Sequence, residues 1–358
     1  LMIQIYSDTI NFRRYGINSI IEHMTPSSTL HQESIVIDGT CPLIDDPRGI
    51  PAYRAGGFTA VAPTVGDNEN GAAGTLRKLG SIHKVIREDA GLVLVRKARD
   101  IEAAKASGKM GLILHFQGAE PIENRLEYID AYKSMGVGMI QLTYNVKNRL
   151  GDGCEERTDA GLSKFGLAVI KRMNEARVIV DCSHTGLRTT LDAIEASTRP
   201  PVFSHAGVRA VHPSPRNIVD EQIKAVAAKG GLVGANAYPP FVSADKPPTL
   251  EQLIDHIRYI VDLVGIDHVG LGLDYFAGQS PYSSDEHAMA AYKGYLESGM
   301  WSSKSYPPPP YIYPKGIETP DKAPHLTDAL LRSGFNAEEV KKIIGGNWMR
   351  VFREVWGE

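Results

Sequence analysis

Six short apolar runs in this chain end in residues that bind metals or move protons. IVI runs into Asp38-Gly39-Thr40-Cys41-Pro42, and LIL into His115-Phe116-Gln117-Gly118. MIQLT is followed by Tyr144-Asn145, VIV by Asp181-Cys182-Ser183-His184, PVF by Ser204-His205, and VGLGL by Asp274-Tyr275. One histidine closing such a run is most often a hydrogen-bonded structural residue. His184, His205 and Asp274, each closing a different run, point to a site. Neutral imidazoles suit Zn²⁺, which lowers the pKa of a bound water to about 7 and so supplies hydroxide. A carboxylate such as Asp274 takes up the proton of that water and passes it to a leaving group. The chemistry this combination serves is metal-assisted hydrolysis.

The elements that must hold these residues are legible as periodic segments. Strands are expected at Ser34–Asp38, Phe58–Ala62, Gly111–Leu114, Met139–Thr143, Val178–Asp181, Pro201–Ser204, Leu232–Ala235 and His268–Leu273. Most are continuous apolar runs, as in parallel strands covered on both faces. Helical patterns fall between them at Gly74–Asp89, Asn124–Ser134, Ser163–Glu175, Arg188–Ala196, Asp220–Ala228 and Leu250–Val264. Eight strands with helices in most gaps read as an α/β fold, a (β/α)8 TIM-like barrel, in which functional groups sit at the C-terminal ends of the strands. An open doubly wound sheet is the alternative, but no GxGxxG follows the first strand. The rhythm stops at 279–320, where the run SYPPPPYIYPKG favours extended, helix-free backbone. That segment reads as a loop packed over the barrel mouth. Helical patterns at Leu326–Ser333, Ala337–Ile344 and Asn347–Glu354 then form a C-terminal extension. The expected organisation is an N-terminal arm over 1–33 and a single barrel over 34–358.

Composition narrows the partners. The 358 residues carry 39 basic against 42 acidic side chains, a net charge of −3, with no basic tract. A nucleic-acid binder or a polybasic membrane anchor is therefore not expected, and a small-molecule substrate is. No run reaches the roughly 18 apolar residues a membrane span needs. Cys41, Cys154 and Cys182 are odd in number and far apart, which argues for a reducing, cytoplasmic compartment.

Four longer motifs carry a family likeness. They are GLSKFGLAVIKRMNEARVIVDCSHTG (161–186), PPVFSHAGVRAVHPSPRNIVDEQI (200–223), GIDHVGLGLDY (265–275) and IIGGNWMRVFREVW (343–356). In this order and spacing the chain resembles the renal (membrane) dipeptidase family, the M19-type peptidases of the amidohydrolase superfamily, from about Ser34 to its end. The resemblance implies a (β/α)8 barrel with two zinc ions, and a homodimer. It implies that His184 and His205 are metal ligands, that Asp274 handles protons, and that Arg216 binds the substrate carboxylate.

Half of the family's site is altered. The family's D-G-H-x-D stands here as Asp38-Gly39-Thr40-Cys41-Pro42, its E-G-G as Gln117-Gly118-Ala119, and its L-T-H as Leu142-Thr143-Tyr144. Two adjacent dications repel strongly without a bridging anion, so one zinc at most is expected. His184 and His205 alone under-ligate that ion. The candidates for a third ligand are His115, which shares a strand side with Gln117, Cys41 and Asp274. The expected function is a zinc hydrolase of an amide or peptide-like bond in a small carboxylate-bearing molecule. In it Tyr144 donates to the scissile carbonyl, while Arg216, Gln117 and Asn145 bind substrate. A second reading keeps the barrel but works without metal or without hydrolysis, using the His/Asp set or Cys41 as nucleophile. A third is a non-catalytic binding protein.

Overall fold

The structure is a computed structural model, and it describes residues 26–67 and 71–358. Eleven short strands, all paired in parallel, run through it: β1 (Ile37–Asp38), β2 (Ala60–Val61), β3 (Thr64–Asp67), β4 (Leu92–Leu94), β5 (Met110–Leu112), β6 (Leu114–Gln117), β7 (Val137–Gln141), β8 (Ile179–Asp181), β9 (Val202–Ala206), β10 (Leu232–Ala235) and β11 (Val269–Leu271). They hydrogen-bond in the orders β1-β2-β5-β4 and β11-β10-β9-β8-β7-β6-β3. β2 and β3 are two halves of one stave, interrupted at Pro63, which has no N–H to give a ladder. β5 and β6 are likewise halves of the next, parted at Ile113.

Eight staves result, and the first meets the last. The Gly39 N–H donates to the Leu271 carbonyl at 2.9 Å, and the Leu273 N–H to Asp38 Oδ1 at 2.8 Å. The fold is the expected α/β barrel of the TIM type, with helices such as Lys164–Ala176, Leu187–Ala196, Asp220–Ala228 and Leu250–Val264 outside it. Each of the eight expected strands overlaps a stave, and the last two of these helices match residue for residue.

Two expectations need correction. β4 is an additional strand beside β5, where LVL is too short to stand out from a helical flank. The segment 279–320 is not wholly a loop, since Asp285–Glu297 is helical, capped by the Ser284 side chain accepting from the His287 N–H. The proline-rich run itself is helix-free. Of the expected N-terminal arm, residues 1–25 lie outside the described residues. Pro26–Glu33 is a helix tied to the body through His31, whose ring nitrogens bond Thr327 Oγ1 and the Gly56 carbonyl.

Strand alternation divides the core. Leu114 and Phe116 point out to the helices, while Ile113, His115 and Gln117 point into the barrel. The C-terminal helix Asn347–Trp356 closes the interior at the end opposite the site. Trp348, Phe352 and Trp356 recur at i, i+4 and i+8 and stack in sequence. Trp348 fills the space over Gly39 and Gly270, where a Cβ would come within 2.3 and 2.7 Å of its ring, and Trp356 does the same at Gly138.

Candidate active site

The site lies at the C-terminal ends of the staves. His184 follows β8 in the left-handed region, φ 61°, and Asp274 follows β11 with the same φ. Asn145, after β7, has φ 58°. Left-handed backbone is uncommon in non-glycine residues and clusters at functional sites. His205 reaches the interior through an irregularity in β9. Phe203 pairs with Val233 but Ala206 with Ala235, so three residues of β9 span two of its neighbour. This bulge turns both Ser204 and His205 toward the interior.

The two imidazoles meet there, His184 Nε2 lying 2.9 Å from His205 Nε2. Their hydrogen bonds assign the tautomers. His184 Nδ1 lies 2.7 Å from Asn145 Oδ1, and Asn145 is oriented by its Nδ2 donating to the Met300 carbonyl, so Nδ1 of His184 is a donor. His205 Nδ1 faces Ser204 Oγ at 2.7 Å and Thr40 Oγ1 at 3.0 Å. Ser204 gives its proton to Asp181 and Thr40 gives its own to the Gly39 carbonyl, so His205 Nδ1 is also a donor. Both Nε2 atoms therefore carry lone pairs, and they face one another. The Gln117 amide nitrogen is 3.3 Å from His205 Nε2. Burial first, and the Arg216 charge second, hold both histidines well below the usual imidazole range.

Asp274 is half-buried across the same cavity, with Asn236 Nδ2 at 3.4 Å from its carboxyl. Burial pushes it from 3.8 to about 7, against the pull of Arg216 and with the push of Asp38. Tyr144 stacks on His184 at 4.0 Å between centroids and accepts from the Trp301 indole N–H at 3.2 Å. Burial keeps its hydroxyl protonated. The cavity is small, about 110 Å³, and aromatic rings make most of its wall, with Gln117, His184, Asp274 and Pro42 as the rest.

Other expected site residues lie elsewhere. Arg216 is 2 % exposed, donates to the His205 carbonyl at 3.0 Å and sits over Phe241, with its Nε unpartnered. It lines a second cavity of about 140 Å³ on the other side of His184. Asn145, expected on the substrate, turns its amide to Met300, Tyr306 and His184 and so acts as a clamp. His115 donates to Asp181 at 3.0 Å deep in the barrel, away from the imidazole pair. Cys41 is wholly buried outside the cavity wall, and burial, then the Asp38 charge, pushes its thiol up. Among the described residues no three His, Cys, Asp or Glu side chains form a metal-binding group. Three contributors were not expected: Thr40 and Ser204, which orient His205, and Trp301, which caps Tyr144. A lone tryptophan in an irregular segment gives no sequence signal. The Ser-His dipeptide does, if a bulge is foreseen.

These features define a (β/α)8 barrel with a candidate site at the strand C-termini. The sequence profile of the membrane dipeptidase family, peptidase family M19, matches residues 52–292 and 310–356. An amidohydrolase from Pseudomonas aeruginosa is 33% identical, with TM-score 0.83, covering 93% of this chain and 99% of its own. A Rhodobacter sphaeroides metallo peptidase, solved with a phosphinate mimic of the dipeptide L-Ala-D-Ala, superposes with TM-score 0.74 at 20% identity, over 90% of this chain and 100% of its own. Dipeptidase tcpJ of Claviceps purpurea (strain 20.1) is 27% identical over 265 residues, which are 73% of this chain but only 55% of that protein. The chain belongs to the membrane dipeptidase family and is a hydrolase acting on C–N bonds. No helix among the described residues is long and apolar enough to cross a membrane.

Proposed function

We propose that this protein hydrolyses an amide or peptide-like bond in a small carboxylate-bearing substrate, with a single zinc ion held by His184 and His205. The observation that carries the proposal is the approach of the two Nε2 atoms to 2.9 Å while both Nδ1 atoms face oxygen acceptors, which leaves a lone pair on each Nε2. Two lone pairs so close repel, and a shared cation removes the repulsion. Imidazole nitrogens suit zinc, and the ion would complete its coordination with water or with the Gln117 side chain. A pair of ions does not fit: Thr40 and Pro42 supply no carboxylate, and Gln117 is a neutral amide. When bound, such an ion supplies a water of lowered pKa and polarises a carbonyl.

The chain's own groups account for the rest. Asp274, ionised in a useful fraction near neutral pH, accepts a proton at its carboxylate oxygen and returns it to the leaving nitrogen. The Tyr144 hydroxyl receives from Trp301 and keeps its own proton to donate to the substrate carbonyl oxygen. Arg216, buried with Nε unpartnered, has donors in reserve for a carboxylate. The aromatic walls make the cavity small and favour a specialised substrate.

Elemental analysis on protein purified without chelators tests this, together with turnover of a panel of carboxylate-bearing amides. About one zinc per chain, lost in His184→Ala and His205→Ala along with activity, is the expected result. Turnover that is unchanged after the metal is stripped would overturn the proposal.

A further inference from the structure

Below the imidazole pair lies a second buried polar cluster that the reaction outlined above does not use. Asp181, at the end of β8, is completely buried. Its Oδ1 accepts from the Ser183 and Ser204 backbone N–H groups at 3.0 and 2.9 Å. Its Oδ2 accepts from Ser204 Oγ at 2.5 Å and from His115 Nε2 at 3.0 Å. Although burial pushes this carboxyl up, the His115 bond and charge hold it well below the usual carboxylate range, so it is acceptor only. Every proton in the chain then has one direction: His115 and Ser204 give to Asp181, which leaves Ser204 Oγ to accept from His205 Nδ1 at 2.7 Å.

We propose that Asp181, acting through Ser204, is the positioning residue that fixes His205 in the tautomer protonated on Nδ1 and so aims the Nε2 lone pair into the site. His115 anchors the carboxylate from β6, one stave beyond the neighbouring β7. The functional consequence rests on the reading of His205 as a ligand, but the tautomer can be observed without any metal.

The isosteric change Asp181→Asn reverses the chain. The amide oxygen keeps the two backbone donors, which turns its NH2 toward Ser204 and His115. Ser204 Oγ, now an acceptor, gives its own proton to His205 Nδ1, and the ring moves its proton to Nε2. Thr40 Oγ1, the other acceptor at 3.0 Å, provides the control.

The test is the histidine-ring ¹H–¹⁵N long-range spectrum of the full-length, chelator-treated protein, with zinc affinity measured in parallel by chelator competition. Wild type and Thr40→Val should both show His205 protonated on Nδ1. Asp181→Asn should show a substantial Nε2–H population and a tenfold to hundredfold loss of zinc affinity, the scale found for outer-shell partners of ligating histidines. Ser204→Ala, which deletes the link but leaves Asp181 and His115 in place, should show a mixture of tautomers and covers the case in which Asp181→Asn does not fold. His205 remaining wholly Nδ1–H in the folded Asp181 and Ser204 variants, or flipping in Thr40→Val alone, would overturn the assignment. If the wild type takes up no zinc, the function proposed above fails, and the tautomer still decides this inference.

Discussion

Asp274 gives the site a pH signature whose midpoint can be shifted in both directions. Its displacement from 3.8 to about 7 corresponds to roughly 4 kcal/mol against the carboxylate in place. If the carboxylate is the proton acceptor, kcat/KM should climb about tenfold per pH unit on the acid side and level off at about 7 or below, because a bound cation draws the midpoint down. Burial is the main cause of the displacement, while Arg216 opposes it and Asp38 adds to it. Arg216→Gln should therefore move the midpoint up, and Asp38→Asn should move it down, whatever either does to the plateau. Stability carries the same signature. The unfolded carboxyl ionises near 4 and the folded one near 7, so the folded state holds the extra proton between them. Asp274 thus contributes stability below about pH 4 that is lost as pH rises through 7, by up to about 4 kcal/mol. Asp38, also raised to about 7 by burial, adds in the same sense. Rate profiles from pH 5 to 9 and urea unfolding of wild type and Asp274→Asn over pH 4 to 8 measure both. An acid limb that neither variant moves would refute the assignment of Asp274 as proton acceptor.

Gln117→Glu places an anionic oxygen beside His205 Nε2 and should tighten zinc binding at least tenfold, about 1.4 kcal/mol; unchanged affinity in chelator competition would remove Gln117 from the ion's surroundings. Cys41, buried and held protonated, should resist iodoacetamide in the folded protein at pH 8 and react only on unfolding, as peptide mass mapping will report; rapid native-state labelling with loss of activity would revive a nucleophilic role. Trp348→Ala should destabilise the protein by about 3–5 kcal/mol in urea unfolding, because the ring fills space no neighbour can take over.

The staves and the paired histidines were legible because buried parallel strands are continuous apolar runs and the residues that end them stand out in type. IVID, LILH, VIVD and HVGLGL each announced where polar side chains follow an apolar run at the C-terminal end of a strand. The directions of those side chains were not legible. His115 and Gln117 alternate correctly onto one side of β6, yet a rise of two residues is enough to carry His115 down to Asp181 and away from the imidazoles. Asn145 looked like a substrate contact because it follows a strand, but its left-handed backbone turns the amide toward Met300 and Tyr306. The bulge in β9 depends on register against β10, a relation between distant segments that a single-chain pattern does not carry. Trp301 and Tyr306 complete the cavity from an irregular segment whose path is set by tertiary contacts, and composition announced only that it would not be helical.

The aromatic row of the last helix has a consequence for how the molecule is made. Trp348 fills the hollow at Gly39 and Gly270, on the first and last staves, and Trp356 the hollow at Gly138, so the barrel floor is supplied by the helix Asn347–Trp356. A chain that has formed all eight staves still lacks that floor, and its interior stays open to water until this helix has docked. Closure thereby depends on a segment distant in sequence from the staves it covers, and a product cut short before Asn347 would carry an exposed apolar well that quality-control proteases can recognise.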